Sequence, residues 1–232
     1  MLIQQPSLGL YIHIPWCVKK CPYCDFNSHQ QQGELPEGDY VTALLKDLEQ
    51  ELELLDTPSL SSIFIGGGTP SIFSADAIKT LLDGVRCRIP FDDDIEITLE
   101  ANPSTVEQEK FCGFRTAGIN RLSIGIQSFN DVHLAKLGRI HDAAQAAAAV
   151  GAAKAAGFDN FNIDLMHGLS GQTPAEAIED LHRAIDLNPT HLSWYQLTIE
   201  PNTVFYSAQP TLPKEDALEQ IAEIRANNRI PL

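Results

Sequence analysis

Positive charge is scarce in this chain: Lys and Arg number 16 against 31 Asp and Glu, a formal net charge of −15 at pH 7. That balance argues against nonspecific binding to nucleic acid or to an anionic membrane, since either partner would be repelled. Long apolar runs are also missing; the longest are strand-sized pieces such as Ser62–Ile65, too short to span a bilayer. Residues Met1 to Pro6 lack a charged head followed by an apolar stretch, so no secretory signal is expected. A secreted disulfide framework is equally foreign to the pattern, because the five cysteines are an odd count and three of them crowd into eight residues. No repeat of fixed period and no linker rich in Pro, Gly or Ser divides the 232 residues. The composition predicts a cytoplasmic globular protein.

Short apolar strands alternate with helical patterns from one end to the other. Strands are expected at Leu10–Ile14, Ile63–Ile65, Ile95–Leu99, Leu122–Ile126, Phe161–Leu165 and Leu192–Leu197. Between them, Val41, Leu44, Leu45, Leu48, Leu52 and Leu55 recur at the spacing of one helix face. Further helices are expected over Ala77–Arg86, from Ser104, over the alanine-rich Ala143–Ala156, over Pro174–Leu187 and over Ala217–Ala226. Ser104 with Glu107 fits a capping box, and Thr173-Pro174-Ala175-Glu176 adds proline at the first helical position. Six strand–helix units in this order predict an α/β fold with a parallel sheet, because parallel neighbours need a helical return path.

Strand parity says more. Leu122, Ile124 and Ile126 alternate with Arg121, Ser123, Gly125 and Gln127; Phe161, Ile163 and Leu165 alternate with Asn162, Asp164 and Met166. Ile95, Ile97 and Leu99 alternate with Glu96, Thr98 and Glu100, and Leu10, Ile12 and Ile14 with Tyr11 and His13. A sheet packed on both faces would be apolar on both. One polar face suits a partly open barrel that encloses a ligand.

The strongest chemical signal is Cys17-Val18-Lys19-Lys20-Cys21-Pro22-Tyr23-Cys24, directly after the first strand. Three thiolates so spaced can converge on one metal centre. Zinc with Cys17, Cys21, Cys24 and His13 or His29 is one arrangement. A 4Fe–4S cube, held by three thiolates and open at the fourth iron, is the other. Gly66-Gly67-Gly68-Thr69-Pro70 follows the second strand, where glycines permit close backbone approach and Thr69 offers a hydroxyl. Cys87 and Cys112 stand alone and are expected to be partly buried; Asp92-Asp93-Asp94 is expected in a solvated turn. His133, His141, His182 and His191 show no paired ligand spacing.

From Tyr11-Ile12-His13-Ile14-Pro15-Trp16-Cys17 to Cys21-Pro22-Tyr23-Cys24-Asp25-Phe26, the chain resembles the radical S-adenosylmethionine superfamily, within it the oxygen-independent coproporphyrinogen III oxidase-like family. The resemblance runs from about Leu10 to Pro201. It implies a partial (βα)6 barrel, a 4Fe–4S cluster on Cys17, Cys21 and Cys24, and S-adenosylmethionine chelating the open iron. It also implies that Gly67, Gly68 and Thr69 approach the methionine moiety, that Tyr23 neighbours the adenine, and that Tyr11, Glu100, Gln127, Arg139 and Asp164 contact S-adenosylmethionine. The porphyrin-forming oxidases carry a further cysteine two residues after the third ligand, where Phe26 stands here. That departure resembles the HemW-type branch of haem chaperones, and implies haem or porphyrin as ligand, a haem-recipient protein and an electron donor as partners. Members usually continue well beyond the sixth unit, so residues 1–232 are expected to be the radical SAM core with the family's C-terminal domain absent.

Overall fold

A computed structural model describes residues 7–55 and 59–227. The stretch Met1 to Pro6, read above for a signal, and the chain end at Ile230-Pro231-Leu232 lie outside the described residues. The strands are β1 (Leu8–Ile14), the two-residue β2 (Trp16–Cys17) and β3 (His29–Gln30), β4 (Leu60–Gly67), β5 (Phe91–Ala101), β6 (Arg121–Gln127), β7 (Phe161–His167) and β8 (His191–Gln196). The helices are α1 (Glu37–Leu52), α2 (Ala75–Arg86), α3 (Thr105–Gln108), α4 (Phe111–Ala117), α5 (Asp131–Lys136), α6 (Ala143–Ala155), α7 (Pro174–Asp186), α8 (Val204–Ser207) and α9 (Glu215–Asn227).

Six strands form one sheet in the order β1-β4-β5-β6-β7-β8, and every neighbouring pair is parallel. Spatial order follows chain order, as expected when each strand returns beside its predecessor through a helical crossover. All six expected strands form. Their apolar row is the core: Ile14, Ile65, Leu99, Leu122, Ile124, Ile163 and Leu165 are buried under the helices. Ile78, Leu81, Leu82 and Val85 of α2 and Ala177, Ile178, Leu181 and Ala184 of α7 cover that face. The small side chains of Ala146, Ala149 and Ala153 line the buried stripe of α6.

The capping box at Thr173 forms with Glu176, and a second forms between Asp142 and Gln145 at the head of α6. The Ser104 box does not form as expected. Ser104 Oγ donates to Glu107 Oε1 at 3.1 Å, while Glu107 Oε2 accepts from the Asn102 backbone N–H at 2.8 Å and from the Ser71 hydroxyl. Those buried donors claim the carboxylate, and the helix from Ser104 breaks into α3 and α4. Leu55 falls beyond the end of α1 and is exposed. Asp92, Asp93 and Asp94 are not in a turn: pairing of Leu60 with Phe91 starts β5 ahead of them. Cys87 and Cys112 are both exposed rather than partly buried, since each sits on the solvent side of its helical segment.

Candidate functional site

The cysteine loop leaves the sheet through Pro15 and is closed at its base. Trp16 and Cys17 pair with His29 and Gln30, the His29 N–H donates to Pro15 O at 2.7 Å, and the Gln31 N–H donates to Cys17 O at 2.8 Å. Lys20 Nζ donates across the loop to the carbonyls of Phe26 at 3.1 Å and Ser28 at 3.0 Å. His13 fastens it from the sheet: Nε2 lies 2.8 Å from Asn27 O, and Nδ1 lies 2.9 Å from the Tyr11 hydroxyl. Because Asn27 O only accepts, Nε2 carries the proton and Nδ1 accepts from Tyr11. Both ring nitrogens are thereby engaged, which removes His13 from the ligand set that a Cys3His zinc site would use. His29 is exposed.

All three loop cysteines are free thiols, Cys17 buried and Cys21 and Cys24 half-buried. Burial pushes the Cys17 thiol up, opposed by hydrogen bonds from the Thr69 and Ser28 hydroxyls. Among the described residues no three His, Cys, Asp or Glu side chains converge on a single-ion position. A cube spreads three thiolates over three irons and needs no such convergence.

The glycine loop packs against this base. A Cβ at Gly68 would come within 2.6 Å of Trp16 O, and one at Gly67, where φ is +120°, within 2.7 Å of the His13 ring. Only glycine fits both positions. The Gly68 N–H donates to Ile14 O and the Thr69 N–H to Trp16 O, each at 2.8 Å. Backbone hydrogen bonds therefore tie the two loops together.

Between these loops and the polar face of the sheet lies a cavity of about 460 Å³, within the range of small-molecule sites. Cys17, Cys21, Cys24, Tyr23, Gly67, Gly68 and Thr69 reach it from the loops. Glu100, Gln127, Arg139 and Asp164 reach it from the sheet and its following loops. Eleven of the twelve expected site residues are thus brought together. Tyr11 is not among the lining residues: its ring stacks on Phe64 with centroids 6.2 Å apart and is 57% exposed, and its hydroxyl serves His13.

Each polar group has a definite setting. Glu100 Oε2 accepts from the Gly67 N–H at 3.1 Å. Burial pushes its carboxyl up to about 7, countered by that hydrogen bond and reinforced by the Asp164 charge. Asp164 accepts from Ser123 Oγ at 2.8 Å and Asn162 Nδ2 at 2.9 Å; burial raises its pKa as well. Gln127 ends β6 at a register shift with φ of +73°, a left-handed conformation that costs a non-glycine residue about 1–2 kcal/mol. Tyr195 holds it there, donating to Gln127 Oε1 at 2.8 Å. Strain of this kind collects where a fold orients a group for use.

Arg139 is half-buried. Its Nη2 donates to Asn102 Oδ1 at 2.5 Å and to Gly125 O at 2.7 Å, and its Nη1 points at Cys21 Sγ from 3.6 Å. None of the ion pairs among the described residues includes it. Burial disfavours its charge, but the Tyr23 and Cys21 side chains outweigh that and raise its pKa. Tyr23 lies over a small apolar cluster with Met166, Leu197 and Phe205, and burial raises the pKa of its phenol.

Asn102 and Tyr195 were not singled out from the sequence. Tyr195 was accessible by parity, since Leu192 and Trp194 are buried and Ser193 and Tyr195 face the other way. For Asn102, two residues after Glu100, no local pattern announces a contact with a residue 37 positions away.

A protein-family comparison matches residues 11–184 to the radical SAM superfamily. Two curated relatives carry the name heme chaperone HemW. The Haemophilus influenzae protein is 59% identical over 222 residues, covering 94% of this chain and 58% of the relative. The Escherichia coli protein is 56% identical over 222 residues, covering 96% of this chain and 59% of the relative. The chain thus spans a little under three fifths of the length of these relatives. Among solved structures, the Escherichia coli coproporphyrinogen III oxidase HemN, described as a radical SAM enzyme, superposes with a TM-score of 0.85 at 31% identity over 96% of this chain and 52% of that one. Methylornithine synthase, at 12% identity and a TM-score of 0.63, shares the fold. With the matched region containing the cysteine loop, the glycine loop and the polar residues of β5, β6 and β7, this chain belongs to the radical SAM superfamily.

Proposed function

We propose that this chain is the cofactor-binding core of a cytoplasmic haem chaperone, with a 4Fe–4S cluster on Cys17, Cys21 and Cys24 and S-adenosylmethionine beside it. The observation that carries this reading is Arg139: a half-buried guanidinium that joins no ion pair among the described residues, aimed at a cysteine sulfur in a cavity that two further free thiols share. Two neutral acceptors, Asn102 Oδ1 and Gly125 O, and one cysteine sulfur face this cation, and a cation so placed in a cavity suits anionic groups beside it. Cluster thiolates and an amino-acid carboxylate are such groups. On the opposite wall Glu100 and Asp164 suit an ammonium group and ribose hydroxyls, Gln127 supplies amide polarity, and Gly67, Gly68 and Thr69 leave room for close approach. When bound, a reduced cluster supplies one electron for reductive cleavage of S-adenosylmethionine.

The residues of this chain have the tasks of holding, orienting and drying the site. Cys17 is the buried one of the three, Ser28 Oγ lies 3.9 Å from Cys24 Sγ, and Tyr23 and its apolar neighbours close one side against water. Phe26 lines the mouth, 61% exposed, where the oxidases of the resembling family place another cysteine. That substitution and the naming of the bacterial relatives favour a chaperone over an oxidase. The free cysteines fit a reducing compartment. The likeness to the solved coproporphyrinogen III oxidase, at 31% identity, supports the second reading, oxidation of the porphyrinogen at the same site.

One anaerobic preparation separates these readings. Iron and acid-labile sulfide, S-adenosylmethionine binding and saturable haem binding on the same sample support the chaperone core. Coproporphyrinogen III decarboxylation with consumption of S-adenosylmethionine would replace it with the oxidase, and zinc without sulfide would remove both.

A further inference from the structure

We infer that Lys20 is a positioning residue that clasps the cysteine loop and so governs how firmly Cys21 and Cys24 keep the cluster. The inference rests on the cluster reading above. Lys20 immediately precedes Cys21, yet its Nζ donates to two carbonyls beyond Cys24, Phe26 O at 3.1 Å and Ser28 O at 3.0 Å. The side chain thereby closes a ring over residues 20–28 that contains both ligands. Inside the ring the Cys24 N–H donates to Cys21 O at 3.1 Å, a turn that holds the two cysteines together.

The segment that Lys20 grips is itself fixed. Asn27 O accepts from His13 Nε2 at 2.8 Å; the Ser28 N–H donates to Phe26 O and the His29 N–H to Pro15 O, each at 2.7 Å. It also carries Ser28, which is buried and whose Oγ lies 3.9 Å from Cys24 Sγ. Lys20 therefore ties the stretch before the second ligand to an anchored stretch after the third. Its choice of partners is telling. Acidic residues outnumber basic ones 31 to 16, yet Lys20 joins no ion pair among the described residues and sets its ammonium on loop carbonyls. Neighbouring Lys19 carries the same charge and reaches the cavity instead.

A loop whose ligands are held in place before binding loses less freedom when the metal arrives, and groups that orient ligands change metal retention accordingly. The test is loss of the cluster to a chelator from the anaerobically reconstituted chain, comparing wild type with Lys20→Met, Lys20→Arg and Lys19→Met. Lys20→Met keeps the length of the side chain and removes its donors; Lys20→Arg restores donors; Lys19→Met removes one charge beside the clasp. Loss from Lys20→Met is expected to be roughly tenfold faster than from wild type, and the other two are expected to stay within about twofold. Lys20 is exposed, so the melting temperature of every apo variant should stay within a few degrees of wild type. In the apo chain, amide exchange at Ser28 should quicken in Lys20→Met alone. Lys20→Met with the wild-type chelator half-life overturns the inference. So does equally fast loss from Lys20→Arg, or from Lys19→Met, which would make the effect one of charge. Wild type that takes up no sulfide overturns the cluster reading instead.

Discussion

The two faces of the one sheet are made from alternate residues of the same strands, yet they obey different rules. On the helix-covered face Leu122, Ile124 and Ile126 of β6 are fully buried with nothing to satisfy but packing. On the opposite face the neighbours Ser123, Gly125 and Gln127 belong to a polar network with Asp164, Arg139 and Tyr195. The first face holds the molecule together; the second carries charged, polar and strained groups that face a cavity. A guanidinium without a carboxylate, a carboxyl held near pH 7 and a left-handed glutamine all lie on the cavity side. A one-residue slip of any strand would exchange the faces, so the core fixes the register on which the site depends.

The comparison breaks most decisively at the cysteines. Cys21→Ala is expected to abolish cluster retention, read as iron and sulfide per chain, while the melting temperature of the apo chain stays within a few degrees of wild type. The converse holds at Ile124, fully buried at 0% exposure: Ile124→Ala is expected to cost about 2–5 kcal/mol in denaturant unfolding of the apo chain. Any survivor that folds should still take up cluster.

Glu100 sharpens the contrast through pH. Its carboxyl stands at about 7 in the fold against 4.5 ordinarily, so between those values the folded chain holds a proton that the unfolded chain has released. Stability contributed by this group is therefore complete below about 4.5 and declines as the pH rises to 7. Glu100→Gln is expected to remove that decline, a difference of a few kcal/mol between the two proteins at neutral pH, seen by comparing apo-chain melts across the window. Parallel pH profiles would contradict it. The smallest effect lies at the periphery of the core face: Thr173→Ala, which deletes the α7 cap, should cost about 1 kcal/mol and leave cofactor binding untouched.

Much of this was legible in the sequence for a physical reason. A half-buried strand writes its two faces at period two, so the polar wall that carries Glu100, Gln127 and Asp164 could be read before any contact was known. The cysteine spacing pointed to a metal centre with zinc or an iron–sulfur cube both open, and the family resemblance implied the cube. What stayed hidden depends on tertiary competition. Tyr11 has the parity of the inner face, and no local pattern announces that its ring meets Phe64 and its hydroxyl His13. Ser104 and Glu107 have the letters of a capping box, yet Ser71 and Asn102 outbid the helix end for the carboxylate. Asn102 meets Arg139 only because β5 and the loop after α5 end at the same side of the sheet.

The central claim is that the free thiols of Cys17, Cys21 and Cys24 hold an iron–sulfur cube against Arg139. Iron and acid-labile sulfide analysis of the wild-type chain after anaerobic reconstitution tests it most directly. The account predicts about four of each per chain; a colourless chain without labile sulfide, or one that binds a single zinc ion on the same cysteines, would contradict it.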